Sequence, residues 1–152
     1  MAAMTRLPED DPLRRPAILT LAQDMARYGN DRDAPARAVM GMLGDRWTSL
    51  ILLILRHGET RHADLKRVMV ALSSEQAISQ RVLTLKLRAL ERDGFVLRSV
   101  SGDIPPRVAY RLSDLGIDLS AQVHAMIGWI NDRSQDIHRA RMVYDRQVLG
   151  DA

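Results

Sequence analysis

Between Gln80 and Arg88 the chain sets an amide, a hydroxyl, an ammonium and two guanidinium groups on one short segment: Gln80, Arg81, Thr84, Lys86 and Arg88. A glutamine amide can pair with the N6/N7 edge of adenine, and an arginine fork with the O6/N7 edge of guanine or with a phosphate, whereas lysine acts as a point charge. Further along, Arg98 and Arg107 bracket Gly102 and Pro105-Pro106. Cations so placed neutralise phosphates, and affinity for a polyanion then falls steeply with salt. The chemistry on offer is recognition of an acceptor-rich, negatively charged groove. The competing reading of the helix residues is a solvated face, and of Arg98 a strand-edge ion pair with a carboxylate such as Asp103.

Those side chains need a scaffold, and the same stretch supplies it. Leu83, Leu87 and Leu90 recur at spacings of four and three, which predicts a helix with one buried stripe. Arg81, Thr84 and Arg88 lie about half a turn away, and Ser79 is placed to cap the helix by accepting from an unpartnered first-turn N–H. Gly94 stops it, since a left-handed backbone there meets no Cβ clash. Phe95 to Val100 is rich in β-formers and Val108 to Leu112 alternates, so two strands are expected to close around the proline-bearing tip. An exposed cationic helix followed at once by a hairpin is the build of a winged helix-turn-helix that faces DNA.

Composition sets the bounds. A chain of 152 residues with 46% hydrophobic and 27% charged residues is long enough for one sizeable core and ordinary for a soluble protein. Its longest apolar run, Leu50 to Leu55, is far short of the roughly 20 residues of a membrane span, and Glu9, Asp10 and Asp11 do not suit a signal peptide. No membrane association and a cytoplasmic location are therefore expected. The complete lack of cysteine excludes disulfides, thiol redox sensing, cysteine nucleophiles and thiolate zinc sites. All of the 22 basic residues but Lys66 and Lys86 are arginine, a bias that genomic base composition can also produce, so position carries more meaning than number.

Taken in order, residues 1–33 mix signs and prolines and form an arm with a short helix from about Ala17 to Tyr28, stopped at Gly29-Asn30. Pro35 opens a second helix with Ala36, Val39, Met40 and Leu43 on one face. The nearly all-apolar stretch from Trp47 to Leu55 is expected at the centre of the domain. Thr60 to His62 reads as a short strand pairing with the hairpin, and Ala63 to Ala71 as a third helix with Leu65, Val68 and Met69 inward. After the hairpin, Ser113 caps a long helix whose seam runs through Leu115, Leu119, Val123, Met126, Ile127 and Ile130. That seam exceeds what a small core can cover, so Leu119, Val123, Met126, Ile127 and Ile130 are expected to meet a second copy. A last helix from about Ser134 to Gln147 carries Ile137, Met142 and Tyr144 among charges, with residues 148–152 as a tail.

Four segments carry a family resemblance: MGMLGDRWTSLILLIL (Met40 to Leu55), ISQRVLTLKLRALERDGFVLR (Ile78 to Arg98), IPPRVAYRLSDLG (Ile104 to Gly116) and, more loosely, RARMVYDRQ (Arg139 to Gln147). They resemble the HxlR-type family of winged helix-turn-helix transcriptional regulators. The resemblance implies a bacterial homodimer joined through its N- and C-terminal helices, acting as a repressor or activator near its own operon. Many members carry a cysteine shortly before the first core helix, where this chain has Asp33-Ala34-Pro35, so thiol sensing is excluded here. The segment from Val70 to Ala77 also looks longer than the usual link into the recognition helix.

The expected architecture is therefore mainly α with a small β-hairpin wing, a winged-helix domain over residues 34–147 with dimerisation helices at both ends. The expected partner is an operator in double-stranded DNA, contacted by Ser79, Gln80, Arg81, Thr84, Lys86, Arg88, Arg98 and Arg107, with Ser79 chiefly a cap. The two half-sites would lie about 34–36 Å apart in an inverted repeat. A small-molecule effector is a further candidate partner, near Tyr28, Met40, Met126 or Trp129, residues that are otherwise plain core. His57, His62, His124 and His138 lack metal-ligand spacing, and no metal, cofactor or enzymatic activity is expected. The alternative function is a winged-helix module that binds protein and not DNA.

Overall fold

The computed structural model describes residues 8, 11–73 and 78–150. The chain divides into two compact units, Met1–Asp45 and Arg46–Ala152. This boundary falls one helix later than the expected division after residue 33.

In the first unit the Asp11 carboxylate accepts from the Leu13 N–H at 2.8 Å and sets a single 3-10 turn, Pro12–Arg14. Helix α1 (Pro16–Tyr28) starts on a proline, whose missing N–H costs nothing at that position, and ends at Gly29 with φ 89°. Helix α2 (Pro35–Leu43) begins in the same way. Helix α1 buries none of its residues: Ile18, Leu21, Met25 and Tyr28 all stand exposed.

The second unit is built on α3 (Arg46–Leu55), where Ile51 and Leu52 are fully buried and Trp47 is buried as the expected anchor. Strand β1 (Thr60–Arg61) leads directly into α4 (His62–Leu72), which sends Leu65 and Met69 into the core and leaves Val68 half-buried. Helix α4 absorbs Val70 and Ala71 from the expected long link. The rest of that link includes residues 74–77, which lie outside the described residues. Helix α5 (Gln80–Arg92) follows, capped by Ser79, whose Oγ accepts from the Val82 N–H at 3.1 Å. Leu83, Leu87 and Leu90 are wholly buried, and such burial contributes about 2 kcal/mol for each leucine. Gly94 takes φ 80° and ends the helix.

Strands β2 (Val96–Val100) and β3 (Val108–Leu112) pair antiparallel from Val96↔Leu112 to Val100↔Val108. β1 adds to the other edge of β3, Thr60 opposite Tyr110, so the sheet order is β1-β3-β2. The hairpin closes where the Ser101 N–H donates to the Arg107 carbonyl at 2.8 Å and the Arg107 N–H donates to Ser101 Oγ at 2.9 Å. The Ile104-Pro105 bond at its tip is cis.

Helix α6 (Asp114–Asp132), capped by Ser113, packs on α3, and α7 (Ser134–Gly150) follows it and takes in residues 148–150 of the expected tail. The inward stripe of α6 is Gly116, Ser120 and Val123, with Leu119 and Ile127 half-buried beside it. One expectation needs correction here. Val123 is only 5% exposed, so it belongs to this chain's own core and is not free to meet a second copy. The expected seam splits: Gly116, Ser120 and Val123 share the buried face, with Gly116 close against the Phe95 backbone, whereas Met126 and Ile130 stand exposed.

Candidate nucleic-acid interface

On α5, Gln80, Thr84, Arg88 and Glu91 follow one another at spacings of four, four and three, so they form a single stripe on a face that the buried leucines do not use. The leucine stripe anchors the helix on the core, and the polar stripe is thereby held outward. The wing faces this stripe across a groove of about 780 Å³. Its helix wall is Gln80, Thr84, Arg88 and Glu91, its wing wall is Arg98, Pro106, Arg107 and Val108, and Arg61, His62, Ala63 and Tyr110 complete it. Four guanidinium groups line it against one carboxylate, which makes it a cationic trough.

The sequence-derived site residues divide accordingly. Gln80, Thr84, Arg88, Arg98 and Arg107 come together in the groove. Ser79 and Arg81 are exposed outside its lining, and Lys86 is half-buried on the helix flank. The Ser79 hydroxyl is engaged as the helix cap. The carboxylate of Asp103 pairs with Arg107 Nε, at 3.7 Å, and not with Arg98 as the competing reading had it. Both partners are more than half exposed, so the pair is weak and easily exchanged for a phosphate.

Four charged or polar residues of the groove lie outside the expected site: Arg61, His62, Glu91 and Tyr110. Arg61 and His62 reach the groove because β1 registers Arg61 against Ala109 of β3 and α4 begins at once. The signal was the short strand at Thr60–Arg61, whose pairing carries the next residue toward the wing. His62 Nε2 lies 3.3 Å from Thr84 Oγ1, and its ring lies tilted against Tyr110 with centroids 6.1 Å apart. Burial of the ring, with the Lys66 ammonium adding to it, holds His62 below the ordinary histidine pKa. Among the described residues no group of three His, Asp or Glu side chains is placed to hold a metal ion, and no single helix is long and apolar enough to cross a membrane.

Elsewhere, Met126, Trp129 and Ile130 of α6 are exposed at 53%, 57% and 41%, and Met142, Val143, Tyr144 and Leu149 of α7 are also exposed. Arg133 sits over the Trp129 ring at 4.5 Å. Tyr28 and Met40, the other candidate effector contacts, are 63% and 60% exposed, surface residues and not core.

The HxlR-like helix-turn-helix family model matches residues 42–138. The chain is 38% identical over 96 residues to the uncharacterized HTH-type transcriptional regulator YtfH of Escherichia coli (strain K12), covering 63% of this chain and 71% of that protein. Among solved structures, the YtfH transcriptional regulator from Salmonella typhimurium superposes with a TM-score of 0.62 at 34% identity, over 74% of this chain and 95% of that one. The reduced form of the transcriptional regulator YodB from B. subtilis matches with a TM-score of 0.53 at 30% identity, over 64% and 90%. The groove between α5 and the wing thus lies inside the matched segment, and the chain belongs to the HxlR-like helix-turn-helix family of transcriptional regulators.

Proposed function

We propose that the protein is a sequence-specific DNA-binding regulator, a cytoplasmic homodimer that represses from an inverted-repeat operator and does not sense through thiols. The observation that carries this reading is the convergence of Gln80, Thr84 and Arg88 with Arg98 and Arg107 on one trough. Helix α5 enters the major groove, Gln80 and Arg88 address base edges or adjacent phosphates, and Arg81 and Lys86 take flanking phosphates. The wing, with Arg98 and Arg107, lies against the phosphate strand or the minor groove.

The dimer is supported by apolar side chains that the chain itself leaves uncovered. Met126, Trp129 and Ile130 on α6 and the exposed faces of α1 and α7 are the surfaces offered, with Leu119 and Ile127 at their margin. A two-fold axis through the α6 surface would set two copies of α5 about one helical turn of DNA apart, about 34–36 Å. A small effector would act by shifting that spacing, with Met126 and Trp129 as its nearest apolar contacts.

The test is selection of bound duplexes from a random pool, followed by mobility shifts on the enriched sequence. Replacing Arg81 and Arg88 together with alanine is expected to abolish the shift while the circular dichroism spectrum stays unchanged. A protein that binds no duplex even at low salt would instead be the protein-interaction module.

A further inference from the structure

The hydrogen bonds at Thr84 have a direction that follows from the groups alone. Thr84 Oγ1 donates to the Gln80 carbonyl at 2.9 Å, because a carbonyl can only accept. Its one proton is then committed, so in the 3.3 Å contact with His62 the threonine oxygen accepts and Nε2–H donates. The Tyr110 ring packs tilted against the same imidazole, with centroids 6.1 Å apart. The relay runs one way: His62 Nε2–H to Thr84, and Thr84 O–H to Gln80. What Thr84 has left for a ligand is one acceptor lone pair and a methyl group.

The bases differ in their need for a donor. Guanine shows only the acceptors O6 and N7 in the major groove, adenine and cytosine each show an amino donor, and thymine shows a methyl group beside its acceptor. A lone pair serves the amino groups and a methyl serves thymine, but neither serves guanine. We propose that His62 is a specificity-determining, positioning residue of the interface, which holds Thr84 without a free donor and so turns this position of α5 against guanine. The inference rests on the DNA-binding reading above. Accepting from His62 strengthens the donation of Thr84 to the Gln80 carbonyl, since chained hydrogen bonds polarise one another; without His62 that donation weakens, the more so because the carbonyl also accepts a backbone bond of the first helical turn, and the threonine proton turns more readily toward a base.

Selection from a random duplex pool, run on the full chain with His62→Gln, His62→Phe and Thr84→Ala beside the unaltered protein, tests it. Glutamine returns an N–H donor near the place of Nε2, and phenylalanine keeps a ring against Tyr110 but donates nothing. The unaltered protein and His62→Gln are expected to deplete guanine roughly 3- to 10-fold at one position of each half-site, the scale of a single hydrogen bond. His62→Phe should lose that depletion there and keep the rest of its profile and its Tm, and Thr84→Ala should lose its preference at the same position. A His62→Phe profile identical to the unaltered one, or a loss spread evenly over all positions, overturns the assignment while leaving DNA binding intact. Failure of every protein to enrich any sequence overturns the DNA-binding reading, and this one with it.

Discussion

A Cβ placed on Gly116 would overlap the carbonyl oxygen of Phe95 and stand 2.9 Å from its carbonyl carbon. The first turn of α6 therefore rests on the backbone that leads into β2. Ser113 ties the same corner, its N–H donating to the Phe95 carbonyl at 3.0 Å and its hydroxyl to the Gly94 carbonyl at 2.5 Å. In an exposed helix, glycine to alanine stabilises by about 0.8–1.0 kcal/mol. Here the sign reverses, because the obstacle is backbone and cannot swing aside. Gly116→Ala is expected to cost about 3 kcal/mol, the upper end of overpacking, read as a lower urea midpoint with little change in slope.

Salt dependence separates the wing from the helix. Removing a cation that neutralises one phosphate reduces the slope of log K against log salt by about 1, whereas removing a group that reads a base changes sequence preference. Arg107→Ala is expected to reduce the slope and weaken all duplexes alike. Arg88→Ala should weaken the selected operator more than random DNA. Asp103→Asn, which frees the Arg107 guanidinium from its exposed partner, should tighten binding slightly at low salt.

Trp129 tests the proposed dimer surface without touching the core. Its ring is 57% exposed, so Trp129→Glu is expected to leave the fold intact and shift sedimentation at micromolar concentration from dimer to monomer. Val123→Ala should behave differently: as a core truncation it lowers Tm and leaves the association state of the folded fraction unchanged.

His62 links stability to pH. Its pKa in the folded protein is depressed by burial and by Lys66, so the unfolded chain takes up the proton more readily. Its contribution is thus fully present above the ordinary histidine value of about 6.5 and is lost as pH falls through the folded value. The Tm of the unaltered protein should drop more between pH 7.5 and pH 5 than that of His62→Gln, which has no titrating group there. Equal drops would show that the ring is not held neutral by the fold.

Local chemistry made α5 and the wing legible from residue types. The Ser79 cap, the leucine stripe and Gly94 each act within a turn or two of helix, so their spacing alone delimits Gln80–Arg92. The hairpin was equally local, since its turn residues and β-formers are neighbours in the chain. Two matters depended instead on long-range pairing, which no local period encodes. The β1–β3 register carries Arg61 and His62 into the groove, and with them the bond that commits the Thr84 hydroxyl. The packing of α6, close against the Phe95 backbone at Gly116, buries Val123 and leaves Met126 and Trp129 outside. Within the wing the choice was local but left open by residue types: the tip pairs Asp103 with Arg107, four residues on, and the guanidinium of Arg98 stays on the wall of the trough. Spacing along a helix specifies which residues share a face, but only packing against distant segments decides what that face meets.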